Sequence, residues 1–168
     1  MHTESAEYWI RKLKLEKHPE GGYYREVYRS GRVIPHGALP EGCEGSRSFS
    51  TSIYFLLAGE DFSALHRMKS DEMWHFYAGT SLTTYWIDPS GKLGRIALGA
   101  DAEAGEVFQE VVPAGTWFGA KVNDPASYSL MGCTVAPGFD FRDFELGKRE
   151  ILLHEYPRHA RIIRMLTR

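Results

Sequence analysis

The stretch Gly59-Glu60-Asp61-Phe62-Ser63-Ala64-Leu65-His66-Arg67-Met68-Lys69-Ser70-Asp71-Glu72-Met73-Trp74-His75-Phe76-Tyr77-Ala78-Gly79 decides how this chain folds. It reads as two strands joined by the polar link Lys69-Ser70-Asp71, and it gathers His66, Glu72 and His75 within ten residues. Alternation along a strand puts residues of equal parity on one face. Ala64, His66 and Met68 therefore share a side, and an inward orientation points His66 into a pocket. Glu72, Trp74 and Phe76 share a face of the second strand, which leaves His75 on the other.

The neighbouring segments repeat the theme. Before it, Ser50 to Leu57 is a strongly β-prone run, ended by Ala58-Gly59. After it come strands from Ser81 to Ile87, Leu93 to Leu98, Val107 to Val112, Trp117 onward and Tyr128 to Val135. Asp88-Pro89-Ser90-Gly91, Pro113-Ala114-Gly115 and Asn123-Asp124-Pro125 supply the turns between them. Phe139 to Leu146 alternates with a one-residue slip that a bulge would absorb. Helices are expected only at the ends. Ala6, Trp9, Ile10 and Leu13 form a stripe, with Thr3 as cap, and two short helices follow residue 147. Tyr23 to Tyr28 reads as an outlying strand, and the Gly- and Pro-rich segment 31–47 as a loop.

Many short strands at near-regular spacing make this an all-β chain, a sandwich or jelly-roll barrel. Its 168 residues suit a single domain: 1–47 for the helix, arm strand and loop, 48–146 for the barrel, 147–168 for the closing helices. Net charge is −2, which gives no reason to expect a polyanion as partner. Arg158, Arg161, Arg164 and Arg168 lie beside Glu150 and Glu155 and read as a solvated helix face, so nucleic acid is not expected. No apolar run is long enough for a signal peptide or a membrane span. Cys43 and Cys133 form no disulfide framework, which points to reduced thiols and a cytoplasmic protein.

These residues resemble the first cupin motif, with His66, Glu72 and Gly79 at its spacing; Gly105 through Pro113-Ala114-Gly115 resembles the second. Pro19-Glu20-Gly21-Gly22-Tyr23, Phe62-Ser63-x-x-His66-Arg67, Asp71-Glu72-x-Trp74-His75-Phe76-Tyr77-x-Gly79 and Pro137-Gly138-Phe139-x-Phe141 look like the recurring phrases of the fifth cupin family, which is similar in fold to dTDP-sugar epimerases. The resemblance implies a double-stranded β-helix with short N- and C-terminal helices, and a homodimer. An N-terminal arm containing Tyr23 and Val27 would pair with the sheet of a second copy. Metal-binding cupins supply His, His and Glu from the first motif and His from the second; here Met68 and Phe118 stand at two of those four places.

The site expected from sequence centres on His66, hydrogen-bonded to Glu72 and acting as general acid or base without a metal. Tyr54, Arg67, Trp74, His75, Tyr85, Trp117 and Phe118 are the candidate ligand contacts. The ligand is a small polar molecule such as a sugar derivative, in an isomerase- or epimerase-like reaction. Two alternatives stand beside it. One is a metal-dependent oxygenase or isomerase using a divalent cation on His66, Glu72 and His75. The other is a binding module that performs no chemistry. Cys133 is expected in the core.

Overall fold

A computed structural model describes residues 4–168. In chain order the elements are helix α1 (Ala6–Leu13) and strands β1 (Glu16–Lys17), β2 (Tyr23–Arg29), β3 (Val33–Ile34), β4 (Arg47–Ser48), β5 (Thr51–Ala58), β6 (Phe62–Met68) and β7 (Asp71–Gly79). There follow β8 (Leu82–Ile87), β9 (Leu93–Leu98), β10 (Gln109–Val112), β11 (Trp117–Val122), β12 (Tyr128–Ala136) and β13 (Phe144–Leu146), then helices α2 (Arg149–Glu155) and α3 (Ala160–Met165). The fold is mostly β with short terminal helices, as the strand spacing leads one to expect.

The strands form two large antiparallel sheets, in the orders β1-β2-β5-β12-β7-β10 and β13-β6-β11-β8-β9, plus the small pair β3-β4. The quoted stretch is split between them: β6 joins one sheet and β7 the other. Their inward faces meet in a core of Phe55, Leu57, Trp74 and Met131 from the first sheet with Leu82, Leu98, Phe118 and Val122 from the second. Burying such large side chains is the main favourable term in folding.

Each outer face is covered by helix. Trp9, Ile10 and Leu13 of α1 pack on Leu56, Tyr54 and Leu130, and Trp9 Nε1–H donates to the Tyr128 hydroxyl at 2.8 Å. Leu152, Ile163 and Leu166 cover Leu65, Ile87 and Trp117 on the other sheet. Ser5 caps α1, its hydroxyl accepting from Tyr8 N–H at 3.2 Å; Thr3 lies outside the described residues.

Two expectations are corrected here. Tyr23 to Arg29 is no free arm: β2 pairs with β5 of its own chain from Tyr23↔Leu56 to Arg29↔Thr51. Its β-prone residues find a partner within the chain because segment 31–47 returns through the β3-β4 hairpin. Phe139 to Leu146 is not one bulged strand either. The Asp140 carboxylate accepts from Arg142 N–H at 2.9 Å and closes a 3-10 turn over Phe141–Asp143, so only β13 pairs with β6. A short acidic side chain competes well for backbone N–H groups at such a turn.

Candidate functional site

Two glycines position a carboxyl that the sequence reading did not single out. After His18-Pro19-Glu20 the chain takes positive φ at Gly21 (117°) and Gly22 (72°), a region closed to most residues with a β-carbon. Glycine at 21 also lets the turn press against the Phe62 carbonyl, where a β-carbon would collide. Gly22 N–H donates to Asp61 at 2.9 Å, Ala64 N–H to the Glu20 carbonyl at 2.9 Å, and the Arg168 guanidinium to that same carbonyl at 2.8 Å. So held, the Glu20 side chain turns inward and accepts from the Ser63 hydroxyl at 2.8 Å.

His66 comes to the same point from β6. Its Nδ1 lies 2.8 Å from the Ala64 carbonyl, which can only accept, so Nδ1 carries a proton and Nε2 presents the lone pair. That Nε2 is 3.4 Å from Glu20 Oε2. The His18 Nδ1 lies 3.4 Å from the same oxygen and accepts the Glu20 backbone N–H at 3.3 Å. Glu72, buried on β7 of the other sheet, lines the same cavity as this trio. The expected His66–Glu72 hydrogen bond is not made: the carboxylate in contact with the imidazole belongs to Glu20, and Glu72 acts on His66 through its charge from farther away.

Burial governs the electrostatics, because a charged form loses its water. It pushes the Glu72 carboxyl up to about 7, opposed by the nearby His66 and reinforced by Glu20. Burial raises Glu20 as well, against the pull of His18, the Ser63 hydroxyl and Arg168. It lowers both imidazoles, His66 against the attraction of Glu72 and His18 against that of Glu20. The Cys133 thiol beside Glu72 is pushed well up by burial and by the two carboxylates, and stays protonated.

These groups line one end of a cavity of about 520 Å³ between the sheets. Phe55, Trp74, Phe139 and Phe144 wall it, and Tyr24, Arg29 and Phe141 stand nearer the outside. Arg29 is tied to Glu26 at 2.6 Å and to the Phe139 carbonyl at 3.2 Å. A bidentate, buried ion pair of 2.6 and 2.7 Å from Arg47 to Asp143 clamps the turn that carries these Phe residues.

Of the residues expected at the site, His66, Glu72 and Trp74 line the cavity. Phe118 backs His66, with ring centroids 4.1 Å apart. The other five lie on outer faces. Tyr54 packs toward α1 and against Tyr77; Tyr85 and Trp117 belong to the core beneath α2 and α3; Arg67 lies 4.5 Å over the Trp117 ring and binds Glu145. His75, one residue out of phase with Trp74, meets Thr134 Oγ1 at 3.2 Å and stacks on Tyr77. The signal for the missed His18 and Glu20 was present as a histidine and a carboxylate two apart, ahead of a glycine pair.

A resident divalent cation does not fit this residue set. Among the described residues no three His, Cys, Asp or Glu side chains come together as metal ligands. Both Nδ1 atoms are committed to backbone groups, Met68 is a poor ligand for a hard ion, and His75 faces away. Among the same residues no helix is long and apolar enough to cross a membrane.

Comparison with known proteins agrees with the architecture. A protein from Shewanella oneidensis, SO0799, is 44% identical over 99% of both chains, with a TM-score of 0.88. A hypothetical protein from Leishmania major is 39% identical over 98% of this chain and 99% of that one, with a TM-score of 0.87. The uncharacterized protein YML079W of Saccharomyces cerevisiae is 29% identical over 154 residues, 87% of this chain and 77% of that protein. Likeness to oxalate decarboxylase from Bacillus subtilis, at 15% identity and a TM-score of 0.54 over 89% of this chain and 36% of that one, shows the fold alone. The Cupin superfamily (DUF985) family matches residues 7–147, more than three-quarters of the chain, and the protein belongs to that family.

Proposed function

We propose that this protein binds a small polar metabolite, of the size of a sugar derivative, and isomerises it by metal-free proton transfer centred on His66. The observation that carries the reading is the buried His66–Glu20 contact on the wall of a cavity that Glu72 also lines. His66 Nε2 accepts a proton from a carbon next to a carbonyl, and the electron pair moves into the resulting enediolate. Glu20 stabilises the imidazolium so formed. His66 returns the proton to the neighbouring carbon on the same face while a hydroxyl proton passes between the two oxygens, and no electrons are gained or lost. Glu72 contacts the bound molecule from the facing wall. Phe118 and Phe144, stacked about His66, keep water from the imidazole.

Two buried free thiols, Cys43 and Cys133, support a cytoplasmic setting. The reading includes a two-fold dimer. Exposed Tyr77, Val107 and Val111 beside the terminal strand β10 offer a second copy an apolar face. Light scattering at micromolar concentration should give twice the chain mass; a monomer removes that part.

The chemistry can be tested before the substrate is identified. Protein is incubated in D2O with a metabolite extract, and mass spectrometry seeks a compound that gains one carbon-bound deuterium. The wild type should label such a compound and His66→Gln should not, with unchanged circular dichroism. A ligand retained in the cavity without any labelling would identify a binding module instead.

A further inference from the structure

From the charge balance of the cavity we infer that its ligand carries a protonated amine, or an equivalent cluster of N–H donors, that docks against Glu72. The inference rests on the reading of the cavity as a small-molecule site and names the class of molecule it takes.

The cavity wall around His66 is rich in acceptors and has no lysine or arginine of its own. Glu20 Oε2 and the His66 Nε2 lone pair meet at 3.4 Å, and the Glu72 carboxyl lines the same cavity. Among the described residues no lysine lines the cavity, and its one arginine, Arg29, is already neutralised by Glu26 at 2.6 Å. Asp140 at the same end as Arg29 is paired with Arg142. Arg168 reaches Glu20 only from behind, through the backbone carbonyl.

Glu72 is the carboxyl left without a charged partner. It is only 7% exposed, lines the cavity, and among the described residues has no ion pair with any basic side chain. Its neighbours are two weak neutral donors, the Trp74 indole N–H, which stands outside good hydrogen-bond geometry, and the Cys133 thiol, which stays protonated. Buried carboxyls in proteins are otherwise paired or hydrogen-bonded, since an unpartnered one is costly. Each partner it lacks is one that an ammonium brings.

The walls suit the same ligand. Phe55, Trp74, Phe139 and Phe144 line the same cavity as Glu72, Phe55 against Trp74 and Phe139 against Phe144 edge to face. Aromatic faces attract a cation and hold neutral or anionic groups less well. An anionic head would meet Glu20 and Glu72 with no compensating charge. A neutral polyol would satisfy the carboxyls by hydrogen bonds but would bring no charge to offset theirs.

The experiment uses two matched series on the full wild-type chain: benzylamine, benzyl alcohol and benzoate, then glucosamine, glucose and glucuronate. Isothermal titration calorimetry at about pH 7.5 reads the affinities. Within a series the amine should bind at least about tenfold tighter than the neutral member, with no binding of the acid, because a desolvated charge pair is worth more than a neutral hydrogen bond. Glu72→Gln should erase that preference while leaving any weak binding of the neutral member, with fold checked by circular dichroism. A neutral or acidic member binding as tightly as the amine overturns the inference, and so does binding by none of the six. Neither result touches the proton-transfer reading, which stands or falls on deuterium uptake.

Discussion

At the scale of single residues, the histidine was legible and its partner was not. Strand parity sets His66 with Ala64 and Met68, and Glu72 apart from His75, and that alternation survives in β6 and β7. Pairing is a matter of distance across the fold, and a carboxylate near in sequence is no nearer in space than a remote one once the chain has turned back. Glu72 gives the sharpest test at this scale. The folded protein holds its carboxyl proton up to about pH 7, against the ordinary value of 4.5 that applies to the unfolded chain. Between those two values the folded state binds the extra proton, so the contribution of Glu72 to stability falls as pH rises through that window and stays low above it. Glu72→Gln removes the penalty. Chemical denaturation should find the variant more stable than wild type at about pH 8, by up to about 3 kcal/mol for a shift of this size, and nearly equal to it at about pH 4.5. A variant less stable than wild type at the higher pH would mean that the ionised carboxylate has a favourable partner in the fold.

Between residue and domain, what matters is how short irregular segments are held. The regular strands could be read because β-branched and aromatic runs end at Gly and Pro. The 3-10 turn after Asp140 could not, because its alternating Phe and Asp residues also fit a strand. Only the side-chain contact from Asp140 to Arg142 N–H decides between the two. The same segment depends on the buried Arg47–Asp143 pair, with Arg47 also donating to the carbonyls of Glu44 and Ser46 at 2.6 and 2.9 Å. Arg47→Met should cost about 3–5 kcal/mol in urea denaturation, since it strands a buried carboxylate. Adding Asp143→Asn should recover a large part of that loss. If the double variant is as unstable as the single one, the guanidinium's bonds to the loop carbonyls outweigh the ion pair.

Over the whole molecule, the site joins parts of the chain that are far apart in sequence. Glu20 comes from the turn before β2, His66 from one sheet, Glu72 from the other, and the turn itself is latched by Arg168. The Arg168 guanidinium donates to the Glu20 carbonyl at 2.8 Å and to Asp61 at 3.1 Å, and its carbon lies 4.6 Å over the Phe62 ring. Four regularly spaced arginines in this region read as one solvated face. Only the three-dimensional return of α3 to β6, through Leu65 N–H to the Leu166 carbonyl at 2.7 Å, sets Arg168 apart. An exposed ion pair of this kind contributes little to global stability, within about 1 kcal/mol. Arg168→Ala should therefore leave the melting temperature almost unchanged while loosening the Glu20 turn. Amide hydrogen exchange should accelerate at Gly22 and Ala64, the two N–H groups bonded to Asp61 and to the Glu20 carbonyl, with no change in the strands β5 and β12. The deuterium-labelling activity should fall in step, because the carboxyl that steadies the imidazolium has lost its rear support. Unchanged exchange at both amides would show that Gly21 and Gly22 hold the turn unaided, and that Arg168 is attached to the site without serving it.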